Sequence, residues 1–387
     1  MTPSAPPDAD AGRLPQAAPP HTNPYPWYAP RFWHGMRLGD WLRLMAAGGF
    51  RVPPSRWGLV GPLLATAPAN SVLSLLQKII YGRRIAATQL TEAPVFVIGH
   101  FRSGTTFLYE LLARDPALAA PTAYDCFAAS HFVLTRRFFP RLLAGLAPKV
   151  RPMDRMAFGF DRPQEDEFAL LATGAPTIYR RLAFPQQATP DLATLDGEGL
   201  SDAAARTWRQ RLLHFLQAQK LVHGRRLVVK SPPHTGRMRQ LLELFAGARF
   251  VHIVRDPAAM FASAQHAWRS LELTQGFQPP CDEEQRDAMI AEVFARMYRG
   301  FRRDRQSMPA GSLCEVRYEH LVANPLAELA RIYDELKLPG FEHAQPKFNT
   351  YLSDVGAYQP NAFADDGEVT PAFREATAWY RSEYGYD

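Results

Sequence analysis

Apolar residues recur at helical spacing over residues 33–47 and again over 71–82 (SVLSLLQKIIYG), where a glycine closes the run. At 94–99 the pattern changes to a short unbroken apolar stretch, the mark of a buried strand. Helical spacing returns over 105–114 until Asp115-Pro116 stops it. Downstream the alternation repeats: helix 202–223, strand 225–230, helix 238–245, strand 248–255, helix 257–269, strand 313–318 and helix 326–336. Between lies a mixed region. A helix is predicted there over 131–144, and another is opened by Asp161, with Pro163 in its first turn and Gln164 in capping-box register. Strands alternating with helices predict a three-layer α/β fold, a central parallel sheet flanked by helices on both faces. The pattern adds a helical N-terminal region at 31–93, a main domain at 94–345 that carries a helical cap at 117–200, and a C-terminal extension at 346–387 that packs on the domain.

Composition narrows the partners. The chain has 387 residues, 47% of them hydrophobic, which suits a soluble globular protein. Lys and Arg number 44 against 38 Asp and Glu, a net charge of +6. That balance favours an anionic small ligand over nucleic acid. Three cysteines, Cys126, Cys281 and Cys314, form no CxxC pair; they point to a reducing, cytoplasmic setting and to no metal site. Residues 1–30, rich in Pro and Ala, are expected to be a disordered lead rather than a signal peptide. Residues 58–76 carry no charge, but Pro62, Pro68 and Asn70 argue against a membrane span. A buried or surface-lying helix is expected instead, with peripheral membrane contact open.

The candidate chemistry falls where such a sheet would put it. Ligands of parallel sheets bind beyond the carboxyl ends of the strands. Four polar segments lie there: FRSGTT, KSPPH, RDP and YEHL, after the four predicted strands in turn. The first, within GHFRSGTT, has the GxxxxG spacing of a P-loop-type phosphate loop, whose backbone N–H groups and following helix N-terminus face an anion. A nucleotide hydrolase carries lysine after the second glycine to neutralise the β and γ phosphates. Thr105 stands there in this chain, and Arg102 inside the loop offers a planar fork of donors. The loop therefore suits a phosphate or sulfate handled without a metal.

With these residues the chain resembles, over residues 94–340, the sulfotransferase family that uses 3′-phosphoadenosine 5′-phosphosulfate (PAPS), in particular its bacterial and tyrosylprotein-type branch. The resemblance implies a P-loop-like fold and places the 5′ phosphosulfate on Arg102, Ser103, Gly104, Thr105 and Thr106. It implies that Arg255 and Ser263, an arginine and a serine at the family's spacing, hold the 3′ phosphate. Tyr318 of VRYEHL then lies near the adenine. Lys230, by the same resemblance, meets the bridging oxygen where charge builds as the sulfuryl group leaves. The family's cytosolic branch has its catalytic histidine two residues after this lysine, where this chain has Pro232; His234 lies two further on.

A different general base is therefore needed. Residues 163–170 (PQEDEFAL) offer Glu165, Asp166 and Glu167 at a predicted helix start, where the dipole keeps carboxylates ionised. Glu165 is the choice, with Glu167, Asp125 and His131 behind it. The expected enzyme transfers sulfuryl from PAPS to a hydroxyl or amine acceptor and releases 3′,5′-ADP, with Arg102, Lys230 and Glu165 as its catalytic groups. An aromatic share of 12% is compatible with a small-molecule or lipid-like acceptor beneath the cap. Two other readings stand beside it. One is a small-molecule kinase, disfavoured by Thr105 and by an Arg255–Ser263 site that ATP would leave unused. The other is a non-catalytic nucleotide-binding or membrane-surface scaffold.

Overall fold

The computed structural model describes residues 22–154, 156–188, 191–355 and 369–386. Residues 1–21 of the expected disordered lead lie outside them. The lead does not extend to residue 30, because Asn23 Nδ2 donates to the carbonyls of Arg151 and Asp154 at 2.7 and 2.6 Å and ties the chain down.

Five parallel strands, β1 (Val95–Ile98), β2 (Leu118–Ala119), β3 (Arg226–Lys230), β4 (Arg249–Val254) and β5 (Leu313–Arg317), lie in the order β2-β3-β1-β4-β5. Four match the predicted strands. The fifth, β2, has two residues and is too short to leave a pattern. Val95 pairs with Val228 on one side and Arg249 on the other, which makes β1 central. Alternate residues then feed two cores: Phe96, Ile98, Val229 and Phe250 on one face, Val95, Val97, Val228 and Val251 on the other. A strand buried on both faces needs apolar residues at every position, hence the run VFVI. Each such side chain contributes about 1.5–3 kcal/mol by leaving water.

Three helices depart from the sequence pattern. The one predicted over 71–82 is the middle of a 31-residue helix, Trp57–Ala87, that continues through Pro62, Pro68 and Gly82. Packing outweighs the breakers: Asn70 Nδ2 donates to the His34 carbonyl at 2.6 Å and Gln77 Nε2 to that of Ser130 at 3.2 Å. The helix predicted over 131–144 is two, Phe132–Thr135 and Phe139–Leu143, because Pro140 has no N–H for the Arg136 carbonyl. The helix expected to open at Asp161 begins instead at Glu167 (Glu167–Ala172). Residues 160–164 are occupied in pairing with 121–124, where the Ala123 and Tyr124 amides donate to the Arg162 and Phe160 carbonyls.

A 23-residue helix, Glu283–Arg305, capped by Asp282 and absent from the predicted elements, packs on the turn Pro232–Arg237 after β3. The approach is so close that a Cβ on Gly300 would lie 2.4 Å from the Gly236 oxygen. Residues 369–386 return to this side, with Phe373 against Phe261 and Phe294 and with Tyr380 fully buried.

His100 and His131 are buried, and burial pushes both imidazoles down to about 4. They stay neutral in the native protein while the unfolded chain takes up protons near the ordinary value of 6.5. The stability they carry is therefore complete above pH 6.5 and drains away as pH falls toward 4. Thermal melts across this window are expected to show a falling midpoint, with a shallower fall for His131→Gln. A flat midpoint in the native protein would contradict neutral burial.

Candidate active site

From Ile98 the chain turns through residues 99–104 into the helix Thr105–Leu112. The turn is held from inside. The Ser103 hydroxyl and amide both donate to the His100 carbonyl, at 2.8 and 3.1 Å, and the Gly99 amide donates to Thr235 Oγ1 at 2.8 Å. Gly104 has φ +97°, and a Cβ there would meet the Tyr318 ring at 2.3 Å. Both conformation and space require glycine. Arg102 also sits in the left-handed region, at φ +71°, a strain on the order of 1 kcal/mol or more for a residue with a side chain. Its guanidinium bonds Ser263 Oγ at 2.9 Å and Asp154 Oδ2 at 3.0 Å.

β3 ends on Lys230, whose side chain is 2% exposed. Its Nζ lies 2.5 Å from Glu165 Oε1 and 3.3 Å from Thr106 Oγ1. The second Glu165 oxygen accepts from the Tyr179 hydroxyl at 2.6 Å. Burial pulls the Lys230 pKa below its ordinary value, and the Glu165 carboxylate opposes the pull. Burial, and then the Glu165 charge, push the Tyr179 phenol well above its usual value, so it remains a donor. The next two acids bind the same stretch. Asp166 accepts from Ser231 Oγ at 2.7 Å and faces His234 Nε2 at 2.8 Å, and Glu167 receives both arms of Arg237 at 2.9 and 3.2 Å.

These contacts separate the four candidate bases. Glu165 lines the cleft at the strand ends. Glu167 is fully buried against Arg237. Asp125 closes a capping box with Thr122 on the helix Ala123–Phe127. His131 is bound to Thr135 and Asn70, beside the helix Trp57–Ala87. Its neighbours, like those of Asp125, lie outside the cleft lining.

Arg255, just beyond β4, lays its guanidinium 4.3 Å from the centre of the Tyr318 ring and donates to the Arg102 carbonyl at 3.0 Å. Tyr380 secures its backbone twice, accepting from the Arg255 amide at 2.9 Å and donating to its carbonyl at 3.1 Å. The cleft among these groups holds about 320 Å³. Arg102, Gly104, Thr105, Thr106, Glu165 and Arg255 line it together with Phe101, Met153, Met156, Tyr179, Trp268 and Leu271. Lys230 and Tyr318 stand directly behind that lining through their contacts with Thr106, Glu165, Gly104 and Arg255.

Two predicted residues sit differently from expectation. The Arg102 side chain, expected beside the sulfuryl group, reaches Ser263. The Ser103 hydroxyl is turned into the loop and shapes it from within. Sequence reasoning missed Tyr179 and Asp154. Burial pushes the Asp154 carboxyl up, but Arg151 and Arg102 together hold it far below the usual carboxylate range. No local motif marks either residue.

Residues 94–343 match the sulfotransferase family. Over 361 residues the chain is 35% identical to the omega-hydroxy-beta-dihydromenaquinone-9 sulfotransferase Stf3 of Mycobacterium bovis and of Mycobacterium tuberculosis, an alignment covering 93% of this chain and 92% of the relative. Among solved structures, sulfotransferase STF9 from Mycobacterium avium superposes with a TM-score of 0.68 at 18% identity, over 89% of this chain and 90% of that one. Sulfotransferase STF1 from Mycobacterium tuberculosis H37Rv superposes with a TM-score of 0.61 at 19% identity, over 88% and 91%. These two share the P-loop-like α/β fold. The match covers the glycine loop and the ends of β3, β4 and β5 in one span, and the chain belongs to the sulfotransferase family.

Proposed function

We propose that this enzyme transfers a sulfuryl group from PAPS to the hydroxyl of a lipid-like acceptor and releases 3′,5′-ADP. The Lys230–Glu165 pair, 2.5 Å apart and beside Thr106 of the glycine loop, carries the reading. It sets a cation and a carboxylate side by side at the head of an anion-binding helix.

The residues present fit a nucleotide with two anionic ends. At one end Arg102, Arg255 and Ser263 converge; Arg102 shares the carboxylate of Asp154 with Arg151, and Arg255 donates to the Arg102 carbonyl. Such a surplus of planar donors suits a 3′ phosphate. At the other, Thr105, Thr106 and Lys230 gather where the helix Thr105–Leu112 begins and would hold the 5′ phosphosulfate. The Tyr318 ring, packed on Gly104, gives the base a surface. When bound, PAPS supplies a sulfuryl group already activated by its bond to phosphate.

Glu165 takes the proton of the acceptor hydroxyl as that oxygen bonds to sulfur. The Lys230 ammonium meets the negative charge left on the phosphate oxygen when the bond from sulfur breaks. Tyr179 fixes the second carboxylate oxygen and so the aim of the first. The acceptor side of the cleft is apolar, with Phe101, Met153, Met156, Trp268 and Leu271. A relative named for a menaquinone derivative supports a lipid alcohol there. The three cysteines are unpaired and buried, which supports a reducing compartment such as the cytoplasm.

Labelled PAPS, offered with lipid, steroid, phenol, sugar and peptide acceptors, is expected to mark the lipid alcohol. With that acceptor Glu165→Gln should lower kcat by about 10²–10⁴ while leaving 3′,5′-ADP binding within a few-fold; full activity would remove Glu165 as the base. By calorimetry the native enzyme should prefer 3′,5′-ADP to ADP. Arg255→Ala is expected to cut the preference about ten- to a hundredfold, the worth of a charge-assisted phosphate contact. An unaltered preference would move the 3′ phosphate elsewhere.

A further inference from the structure

We infer that the outer face of the helix Trp57–Ala87, with the basic groove at its side, docks on the surface of a membrane containing anionic lipid. The helix is roughly 46 Å long by its 31 residues, and it is long and apolar enough to cross a bilayer. It is nevertheless fastened side-on to the body. Besides the Asn70 and Gln77 bonds, Ser71 Oγ accepts from the Leu38 amide at 2.9 Å. A helix fixed along one side lies in an interface and does not span it. Its free side, where a soluble helix carries polar residues, presents Leu64, Val72, Leu75, Leu76, Ile79 and Ile80, with Leu64 65% and Ile79 71% exposed. The adjoining segment 136–150 adds Phe138 and Leu142, exposed by 71% and 76%.

Charge identifies the occupant. Residues 41–91 contain no Asp or Glu and six Arg or Lys, and residues 126–153 contain none and five. The whole chain carries only +6, so the remainder is net negative; of the cations counted, Arg43 and Arg151 are paired with Asp40 and Asp154 just outside these stretches. Lys78, Arg83, Arg137, Arg141 and Lys149 are exposed and make no ion pair among the described residues. A groove of about 660 Å³ between this helix and the helix Asp202–His223 is lined by Arg37, Lys78, Arg83 and Arg211 and by no carboxylate. Burial, and then the charge of Arg37, pull the Arg211 pKa down, and Asp40, which pairs with Arg37 beside the groove, opposes the pull. A second copy of the chain would bring like charges together on this face. Anionic headgroups meet the cations while acyl chains cover the leucines and isoleucines.

The docking face leads to the cleft. Val150 bridges to Ala157, and Met153, Met156 and Ala157 belong to the cleft wall. A bilayer against Phe138 and Leu142 therefore touches the segment that forms the acceptor side. This goes beyond the acceptor reading and is measured without sulfuryl transfer.

Flotation of the intact chain with vesicles of phosphatidylcholine, and with vesicles that mix in phosphatidylglycerol, tests it. The native protein is expected to float with the mixed vesicles and to stay behind with the pure ones. The pair Leu75→Ser and Ile79→Ser should weaken binding at least about tenfold. Each of Lys78→Gln, Arg83→Gln, Arg137→Gln and Arg141→Gln should weaken it about fivefold. Because these side chains are exposed, calorimetric binding of 3′,5′-ADP should be unchanged, which separates a failed docking face from a failed fold or donor site. Three outcomes would overturn the inference: equal binding to both vesicles, binding to neither, or a dimer in sedimentation that the Leu75→Ser and Ile79→Ser pair splits.

Discussion

An ammonium group that is 2% exposed has given up its water, and the Glu165 carboxylate 2.5 Å away makes that burial tolerable. Breaking such a pair by removing one partner costs about 3–5 kcal/mol, because the other charge is stranded. The middle of the molecule is organised to prevent this. Three consecutive acids, Glu165, Asp166 and Glu167, meet Lys230, then Ser231 with His234, then Arg237. Arg237 is itself stacked on Trp208 and donates to the Thr194 carbonyl. Glu165 owes its aim to Tyr179 in the cleft wall and to the two acids that follow it, Asp166 and Glu167, anchored on the end of β3 and the turn after it.

The two halves of the site come from different parts of the chain, and Asp154 joins them in addition to the three consecutive acids. The first half rests on the ends of β1, β3 and β4, three neighbouring strands of the sheet. The second half comes from residues 151–179 and from the helix Pro257–Gln275. Asp154 binds Arg102 of the first half and Arg151 of the second, while its carbonyl is held by Asn23. A segment beginning at residue 22 thus bears on the arginine that reaches Ser263.

The strands and their polar ends were legible in the sequence because a central parallel strand has one solution, an unbroken apolar run closed by a turn. The glycine loop was legible for the same local reason, as were Lys230, Arg255 and Tyr318 by their places at strand ends. Direction was not. Glu165 and Glu167 lie in one acidic run, and only the fold turns the first to the cleft and the second to Arg237. Asp125 and His131 stood behind Glu165 as candidates to take a proton, and the sequence did not show the capping box that engages the first or the hydrogen bonds to Thr135 and Asn70 that engage the second. The helix Trp57–Ala87 ran on through two prolines because Asn70 and Gln77 found backbone partners, contacts that no propensity contains. The helix Glu283–Arg305 carried its own signals, Asp282 at the cap, glutamates in the first turn and arginines in the last. Its polar surface disguised the buried stripe that packs on the turn after β3.

Tyr380 grips both backbone groups of Arg255 although 125 positions separate them. Order of synthesis gives this contact a meaning that the finished molecule hides. A growing chain can complete all five strands and the glycine loop while the arginine at the end of β4 still lacks its clamp. This end of the cleft is then among the last parts of the protein to be finished, and a chain stopped short of residue 380 presents an arginine whose side chain meets Tyr318 and the Arg102 carbonyl but whose backbone lacks the Tyr380 clamp.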